Sequence, residues 1–369
     1  MMTKRIFLTI LLAVFVLMGR AQLMTEATNP QGQLQVEVSE EVELMSILSR
    51  AAGRPEFSFD LAAQYSKDVE SWLSEYRKHP TVAYYQDIIA KYGIGYERVT
   101  NMAIHIEIAK GKVNLIGNRS ELNNGWENVN LDDFIKHLNK FYEDTRFHEF
   151  FEQHKSFYQD FLKTYQASVV PHIHPEWYSQ FFNGTEPTDR FHAIIGFNYG
   201  DTNNGSWRQL PDQPREVFAV LGYQIVPMNG RPLYDVSLPV HEYAHSFVNP
   251  LLDKSENAAL MESVGPKLLH LSEAVMQRQA YPTWQIVINE SIVRAAVILY
   301  FSDQGFGQKV VQGLMQREVM QNGFRWMPEL VASLQNYATH RDQYPPLNDY
   351  YPEIARCLTE YVAKEAEKQ

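Results

Sequence analysis

The sequence contains a single cysteine, Cys357, among 369 residues. One thiol cannot form an intrachain disulfide, so covalent cross-links are excluded as a source of stability. We expect Cys357 to pack as a small apolar side chain. No cysteine directly follows the apolar N-terminal segment, so a lipidated N-terminus is not expected either.

Positive charge is also scarce. The chain carries 33 Lys and Arg residues against 44 Asp and Glu residues, which gives a formal net charge of −11 at pH 7. Binding to nucleic acid or to an anionic membrane surface depends on clusters of Lys and Arg. The composition therefore argues against both classes of partner.

Long uncharged apolar runs are missing except at the N-terminus. Two basic residues precede such a run from Ile6 to Met18, and Gly19 to Ala21 forms a small-x-small cleavage site. This pattern predicts a secretory signal peptide over residues 1–21, too short to span a membrane stably. The mature chain would be exported, periplasmic or secreted, without stable membrane insertion. Loss of three basic residues would bring its formal charge from −11 to −14.

Helical periodicity dominates the remaining sequence and predicts an α+β fold that is mainly α. We expect a mainly helical N-terminal region over residues 22–170 and a second region over 171–369 that carries the chemistry. Alternating residues predict a short edge strand at 33–38, and residues 104–108 and 113–116 are compatible with a hairpin. Helices are predicted at 40–51, 60–78, 82–92, 95–104, 131–167, 257–279, 283–302, 307–321, 327–340 and 352–367.

The long helical segment at 131–167 is rich in aromatic residues. Asn130 is suited to cap its first turn, and a break is expected near Thr145. Aromatic side chains at helical spacing pack in a core more often than they form a ligand site. We therefore interpret this stripe as core.

Two apolar, β-branched segments, 191–199 and 216–224, predict strands separated by a loop that contains Asn203, Asn204 and Gly205. One interpretation is an exposed edge that binds an extended peptide by main-chain hydrogen bonds. An ordinary core hairpin is the alternative.

The most informative motif follows these strands. His241 and His245 stand four residues apart, so on an α-helix both imidazoles face the same side and can bind one ion. Glu242 would lie beside that ion, where a general base for water belongs. Ser237 as N-cap and Pro250 as terminator predict a helix over 238–248.

A catalytic zinc site needs a third protein ligand. Glu290 is the best candidate, because it and Arg294 are the only charged residues in an apolar helical stretch, and a buried carboxylate requires a partner. A simple ion pair with Arg294 is the alternative explanation. Glu262 and Glu273 are weaker candidates on more polar helices.

Other polar residues are less decisive. His172 and His174 are interpreted as loop residues, because nothing nearby in the sequence completes a ligand set. An oxyanion could be stabilised by a side chain from a further set, among which the sequence does not choose: His270, His340, Tyr281 and Tyr300.

The motif HEYAH at 241–245, followed by NESIVRA at 289–295, resembles the gluzincin class of zinc metallopeptidases. This resemblance implies a zincin-like catalytic domain with a short β-sheet before the motif helix. It also implies that His241, His245 and Glu290 are zinc ligands and that Glu242 is the catalytic base. The wider chain resembles a domain-of-unknown-function family of secreted bacterial proteins for which metallopeptidase activity is expected.

Three hypotheses follow for the function. The first is a secreted zinc-dependent metallohydrolase, a peptidase acting on peptide or protein substrates through Glu242. The second is a non-catalytic, zinc-containing binding module on a zincin scaffold. The third is a helical adhesion or scaffold protein in which the motif is accidental, and this hypothesis expects no bound zinc.

Overall fold

The computed structural model describes residues 34–122, 125–185, 188–200, 202–223, 226–228 and 231–368. The predicted signal peptide, residues 1–21, lies outside the described residues. Most of the described chain is helical and a small part forms strands, which confirms an α+β fold that is mainly α.

The N-terminal half contributes eight helices to the described structure. They are α1 (Glu40–Ala51), α2 (Ala63–Leu73), α3 (Pro80–Tyr92), α4 (Glu97–Ile104), α5 (Leu131–Asp144), α6 (Phe147–Gln153), α7 (Lys155–Val169) and α8 (Pro175–Tyr178).

The C-terminal half of the described structure contributes eight more. They are α9 (Ser237–Leu252), α10 (Ser255–Met261), α11 (Gly265–Leu271), α12 (Glu273–Arg278), α13 (Trp284–Asp303), α14 (Gln308–Gln316), α15 (Met327–Thr339) and α16 (Tyr351–Ala366), with a π-helical turn at Arg317–Gln321 after α14. The single helix predicted over 257–279 is wrong, since this segment forms the three short helices α10 to α12. Pro266 lies in the first turn of α11, where it cannot continue a preceding helix.

Local sequence signals explain several helix ends. The Ser39 hydroxyl accepts a hydrogen bond from the Val42 N–H at 3.2 Å and caps α1. The Asn130 side chain caps α5 in the same way, by accepting from the Asp133 N–H at 3.2 Å. The predicted break at Thr145 is confirmed as the end of α5.

The strands of the described structure form one four-stranded sheet and two small hairpins. They are β1 (Leu34–Glu37), β2 (Ile106–Ala109), β3 (Lys112–Leu115), β4 (Arg190–Gly196), β5 (Asn203–Arg208), β6 (Glu216–Gly222), β7 (Val226–Met228) and β8 (Arg231–Leu233). The sheet has the order β1-β4-β6-β5, in which β5 is antiparallel to β6 and the other pairs are parallel. The pair β2–β3 confirms the hairpin compatible with the sequence around Gly111.

The sheet corrects two expectations about the second region. The segment predicted as a loop at 203–205 is part of β5, and the core-hairpin interpretation is wrong because β4 and β6 are parallel neighbours. The sheet edge on this side is β5 and not either of the predicted strands. Because β1 pairs with β4 at the other edge, the segments on both sides of residue 170 share one sheet.

The core is continuous across both regions. Most aromatic side chains of α5, α6 and α7 are buried, including Phe134, Phe141, Phe147 and Tyr158, and the partly buried Phe157 packs against them, which confirms the core interpretation. Each such side chain contributes about 1.5–3 kcal/mol by leaving water. Their packing fixes the helices against the sheet and supports the elements that carry the site.

Helix α13 is the central element of the C-terminal half. It is the one helix among the described residues that is long and apolar enough to cross a membrane, with 72% of its most apolar window buried inside the protein. The core helix of a soluble protein meets the same criterion. Helix α9 packs against α13 on one side and against β5 and β6 on the other. The predicted ligands on α9 and α13 are thereby brought onto neighbouring helices.

Candidate metal centre

Helix α9 is longer than predicted at both ends. Ser237 is inside the helix and not its N-cap; its N–H and hydroxyl donate to the Asp235 carboxylate at 2.8 and 2.6 Å. Pro250 lies in the last turn, although it lacks the N–H that would bond to the Ser246 carbonyl. That carbonyl lies 3.5 Å from Nη1 of Arg215, which compensates for the missing donor.

The buried face of α9 is the one predicted. Val240, Ala244 and Phe247 are buried against the sheet and the helical core. On the side facing β5, the backbones approach so closely that a Cβ at Gly205 would lie 1.9 Å from the Glu242 carbonyl oxygen. Only glycine fits this position, and it holds the sheet edge directly beside the motif.

The structure brings His241, His245 and Glu290 together. The Nε2 atoms of the two histidines are 3.0 Å apart. The Glu290 oxygens lie 3.3 Å from Nε2 of His245 and 3.6 Å from Nε2 of His241. Two imidazole nitrogens at this separation need a proton or a cation between them, because their lone pairs otherwise repel.

These separations match the donor spacing of a tetrahedral zinc site. With zinc–ligand bonds of about 2.0–2.2 Å, neighbouring donors of a tetrahedron are about 3.3–3.5 Å apart. The observed distances of 3.0, 3.3 and 3.6 Å bracket that value. The donor set of two imidazoles and one carboxylate is also one that zinc accepts.

Neighbouring side chains orient two of the three donors. Nδ1 of His245 donates to the Asn249 amide oxygen at 3.1 Å, which orients the ring so that Nε2 faces Glu290. Burial opposes a charge on this ring, but the Glu290 carboxylate raises the pKa of His245 to about 9, so Nε2 also carries a proton that a metal ion would displace. Arg294 donates from Nε to Oε2 of Glu290 at 2.9 Å. Glu290 therefore forms the ion pair with Arg294 and lies close to both histidines at the same time.

Arg294 is itself held by two further groups. Its Nη1 donates to Oε2 of Glu318 at 2.8 Å, and its Nη2 donates to the Tyr281 hydroxyl oxygen at 3.0 Å. Glu318 comes from the π-helical turn after α14, a type of turn that is frequent at functional sites. The guanidinium thus has a fixed orientation toward Glu290.

The electrostatics of the site follow from burial and these partners. Burial opposes ionisation of Glu290, but Arg294 and the imidazoles outweigh it and hold the pKa of Glu290 well below its usual range. Burial lowers the pKa of His241 well below its usual value, so this imidazole is uncharged at neutral pH, the form that binds a metal ion. Burial raises the pKa of Glu242 to about 7, against the opposing charge of His245.

The three donors and Glu242 line a cleft of about 820 Å³. One wall contains the start of β5, at Asn203, Asn204 and Gly205. Residues of α13, α14 and the π-helical turn also line the cleft. This volume lies within the range of small-molecule and peptide-binding sites.

Of the four residues considered for an oxyanion, Tyr281 is the one that lines the cleft. Tyr300 is buried elsewhere, donating to the His172 carbonyl and accepting from the His174 N–H, both at 2.8 Å. The other two, His270 and His340, do not line the cleft.

The weaker candidates for the third ligand are elsewhere too. Glu262 and Glu273 are exposed and do not line the cleft. His174 lies 3.4 Å from Glu176, away from the donor cluster, in agreement with the loop interpretation.

The rim of the cleft contains a residue that the sequence does not single out. Tyr96, which precedes α4, has φ 48° and ψ −126° and is 49% exposed. This backbone conformation costs a residue with a side chain about 1–3 kcal/mol. The Arg54 guanidinium lies 5.8 Å from the ring centroid, a contact worth about 0.5–1 kcal/mol at an exposed site.

Comparison with known families gives one finding. A family model described as "Domain of unknown function (DUF4932)" matches residues 34–357, a range that includes every residue of the donor cluster and the cleft. Comparisons with curated proteins and with solved structures give no match.

Proposed function

The chain belongs to the DUF4932 family, and we propose that it is an exported, zinc-dependent metallohydrolase that cleaves peptide bonds. One observation carries the proposal. Nε2 of His241, Nε2 of His245 and the Glu290 carboxylate converge within 3.0–3.6 Å at a cleft, with Glu242 beside them. A zincin-like catalytic domain and a periplasmic or extracellular location are part of the same proposal.

His241, His245 and Glu290 would hold the zinc ion. Bound zinc supplies a Lewis acid that polarises a carbonyl and lowers the pKa of water toward neutrality. Asn249 and Arg294 orient His245 and Glu290 toward the same point, which supports their role as ligands of one ion.

Glu242 is the proposed general base. It follows His241 on α9, so its side chain is rotated away from the two imidazoles while it still lines the cleft. In this role it accepts a proton from the attacking water and transfers it to the nitrogen of the departing amine. Tyr281, which lines the cleft beside Arg294, is placed to donate a hydrogen bond to the developing oxyanion.

The sheet edge supports a peptide as the substrate. β5 is the terminal strand of the four-stranded sheet, and its first residues line the cleft. An extended peptide can add to such an edge by main-chain hydrogen bonds, which would place a scissile carbonyl close to the donors.

The test combines metal analysis with hydrolysis. The mature chain is expected to contain one zinc ion by elemental analysis and to digest a peptide library in a chelator-sensitive manner. Glu242→Gln should retain zinc and lose nearly all turnover, whereas His241→Ala should lose both. Bound zinc without chelator-sensitive hydrolysis would instead identify a binding module, and a Gln variant as active as the wild type would exclude the mechanism.

A further inference from the structure

Tyr96 has an unfavourable backbone conformation that the packing of its own ring does not explain. Its φ of 48° with ψ −126° is a conformation in which glycine is far less strained. It precedes α4 without a side-chain capping hydrogen bond, so the helix does not need its side chain. Half of the residue is exposed, so packing of the ring within the protein recovers little of the strain.

The loop that carries Tyr96 is nevertheless firmly held. The Tyr96 N–H donates to Oε1 of the buried Glu56 at 3.2 Å, and Nε of Arg54 donates to the same oxygen at 2.8 Å. A Cβ at Gly95 would lie 2.2 Å from Nη2 of Arg54, so the chain passes tightly over this pair. The backbone at Tyr96 therefore has a defined position and is not part of a loose loop.

That position is on the wall of the cleft. Tyr96 and Glu97 line the same cleft as the donor cluster and the start of β5 at Asn203 and Asn204. An extended chain that lies along β5 directs alternate side chains to opposite faces. One of those side chains would meet the Tyr96 ring.

We propose that Tyr96 is a specificity-determining residue whose ring contacts a large apolar or aromatic side chain of an extended peptide in this cleft. The inference rests on the proposed function, since it takes peptides as the ligands. Arg54 does not line the cleft, so at this point of the wall the Tyr96 ring is the apolar surface that the cleft offers to a ligand, next to the acidic Glu97. Aromatic rings prefer stacked or edge-to-face contacts with other rings, and every apolar side chain gains from the removal of its surface from water.

The experiment measures binding separately from hydrolysis. Fluorescein-labelled octapeptide pools, each with Phe, Leu, Ala, Asp or Lys at one fixed position, are titrated by anisotropy against zinc-loaded protein in a Glu242→Gln background. Tyr96→Phe should bind every pool as the parent does. Tyr96→Gly should weaken the Phe and Leu pools about tenfold or more at one position, with less than about twofold change for the Ala pool.

Two controls separate recognition from structure. Tyr96→Gly should unfold at the same temperature as the parent or higher, because glycine relieves the strain. Phe59→Ala removes another half-exposed aromatic residue that does not line the cleft and should leave all affinities unchanged.

Each result decides the inference. Equal affinities for Tyr96→Gly and its parent, an equal loss across all pools, or no binding of any pool would overturn it. If binding depends on Tyr96 but the zinc-loaded wild type hydrolyses nothing, the proposed function fails and the inference stands. If hydrolysis occurs and its peptide preference does not change in Tyr96→Gly, the proposed function stands and the inference about Tyr96 fails.

Discussion

Replacement of Arg294 by Met is the most informative perturbation of the site. Arg294 is 13% exposed and donates to Glu290, Glu318 and Tyr281 at 2.9, 2.8 and 3.0 Å. Met fills much of the same volume but leaves two buried carboxylates without this cation. Removal of one partner from a buried ion pair costs about 3–5 kcal/mol.

The partners that Glu290 and Glu318 keep in this variant place the expected loss of stability at the lower end of that range. Glu318 keeps a hydrogen bond from Nδ2 of Asn322 at 2.8 Å and one from Nε of Arg317 at 3.3 Å. Glu290 keeps the two imidazoles at 3.3 and 3.6 Å. We therefore expect Arg294→Met to lower the free energy of unfolding of the metal-free protein by about 3 kcal/mol.

Zinc affinity should fall as well, because Glu290 loses the group that orients it. Loss of such an orienting partner weakens metal binding about 10–100-fold, or about 1.4–2.7 kcal/mol. Urea denaturation in the presence of chelator measures the first quantity, and competition with a zinc-binding dye measures the second.

Arg356→Met is the matched control for this experiment. Arg356 also pairs with two carboxylates, those of Glu353 and Glu360, but on an exposed helix surface. Its replacement should leave stability and zinc affinity unchanged. A loss below about 1 kcal/mol for Arg294→Met, together with unaltered zinc affinity, would refute the conclusion that Arg294 positions Glu290.

Two further predictions concern the supporting structure. Burial raises the pKa of Glu43 to about 7, above its unfolded value of about 4.3, so the folded state binds this proton more tightly. The contribution of Glu43 to the free energy of unfolding should therefore fall by about 3 kcal/mol between pH 4 and pH 8. In urea titrations across pH, Glu43→Gln should lack this part of the pH dependence, and a pH dependence equal to that of the wild type would contradict the assignment. Gly205→Ala should lower the free energy of unfolding by about 1–3 kcal/mol or more and remove most activity, because the new Cβ would collide with the Glu242 carbonyl oxygen. Gly313→Ala, where the new Cβ has no atom within 4 Å, should raise the free energy of unfolding by about 0.5–1 kcal/mol. Equal unfolding free energies for the two alanine variants would show that β5 and α9 do not depend on close contact.

That His241, His245 and Glu290 lie together was accessible from the sequence for a physical reason. The spacing of His241 and His245 determines that both face one side of a helix, whatever surrounds them. Glu290 was conspicuous because an isolated acid in an apolar helix must find a partner. Both inferences depend on local helical geometry and on the cost of burial, which do not require knowledge of the fold.

The features that were missed depend on tertiary structure. β5 reads NNGSWR and lacks apolar alternation, because a half-exposed edge strand is held largely by main-chain bonds to β6. Glu318 and Tyr96 approach the cleft from segments far from the motif, and no local pattern indicates this. Ser237 has the residue type of an N-cap. The group that accepts a hydrogen bond at this helix start is instead the Asp235 carboxylate, two residues earlier.

A chain of alternating charges connects the two helices that supply the donors. From Glu290 it passes to Arg294, then to Glu318, then to Arg317 at 3.3 Å and finally to Asp235 at 3.9 Å. Asp235 in turn accepts from the first residue of α9, so the chain begins on α13 and ends at the start of the helix that carries both histidines. Glu318, the one carboxylate in the middle of this chain, is shared between two cations, and each of the two guanidinium groups is shared between two carboxylates. Side-chain pairing therefore supports the relative placement of α9 and α13 in addition to their core packing.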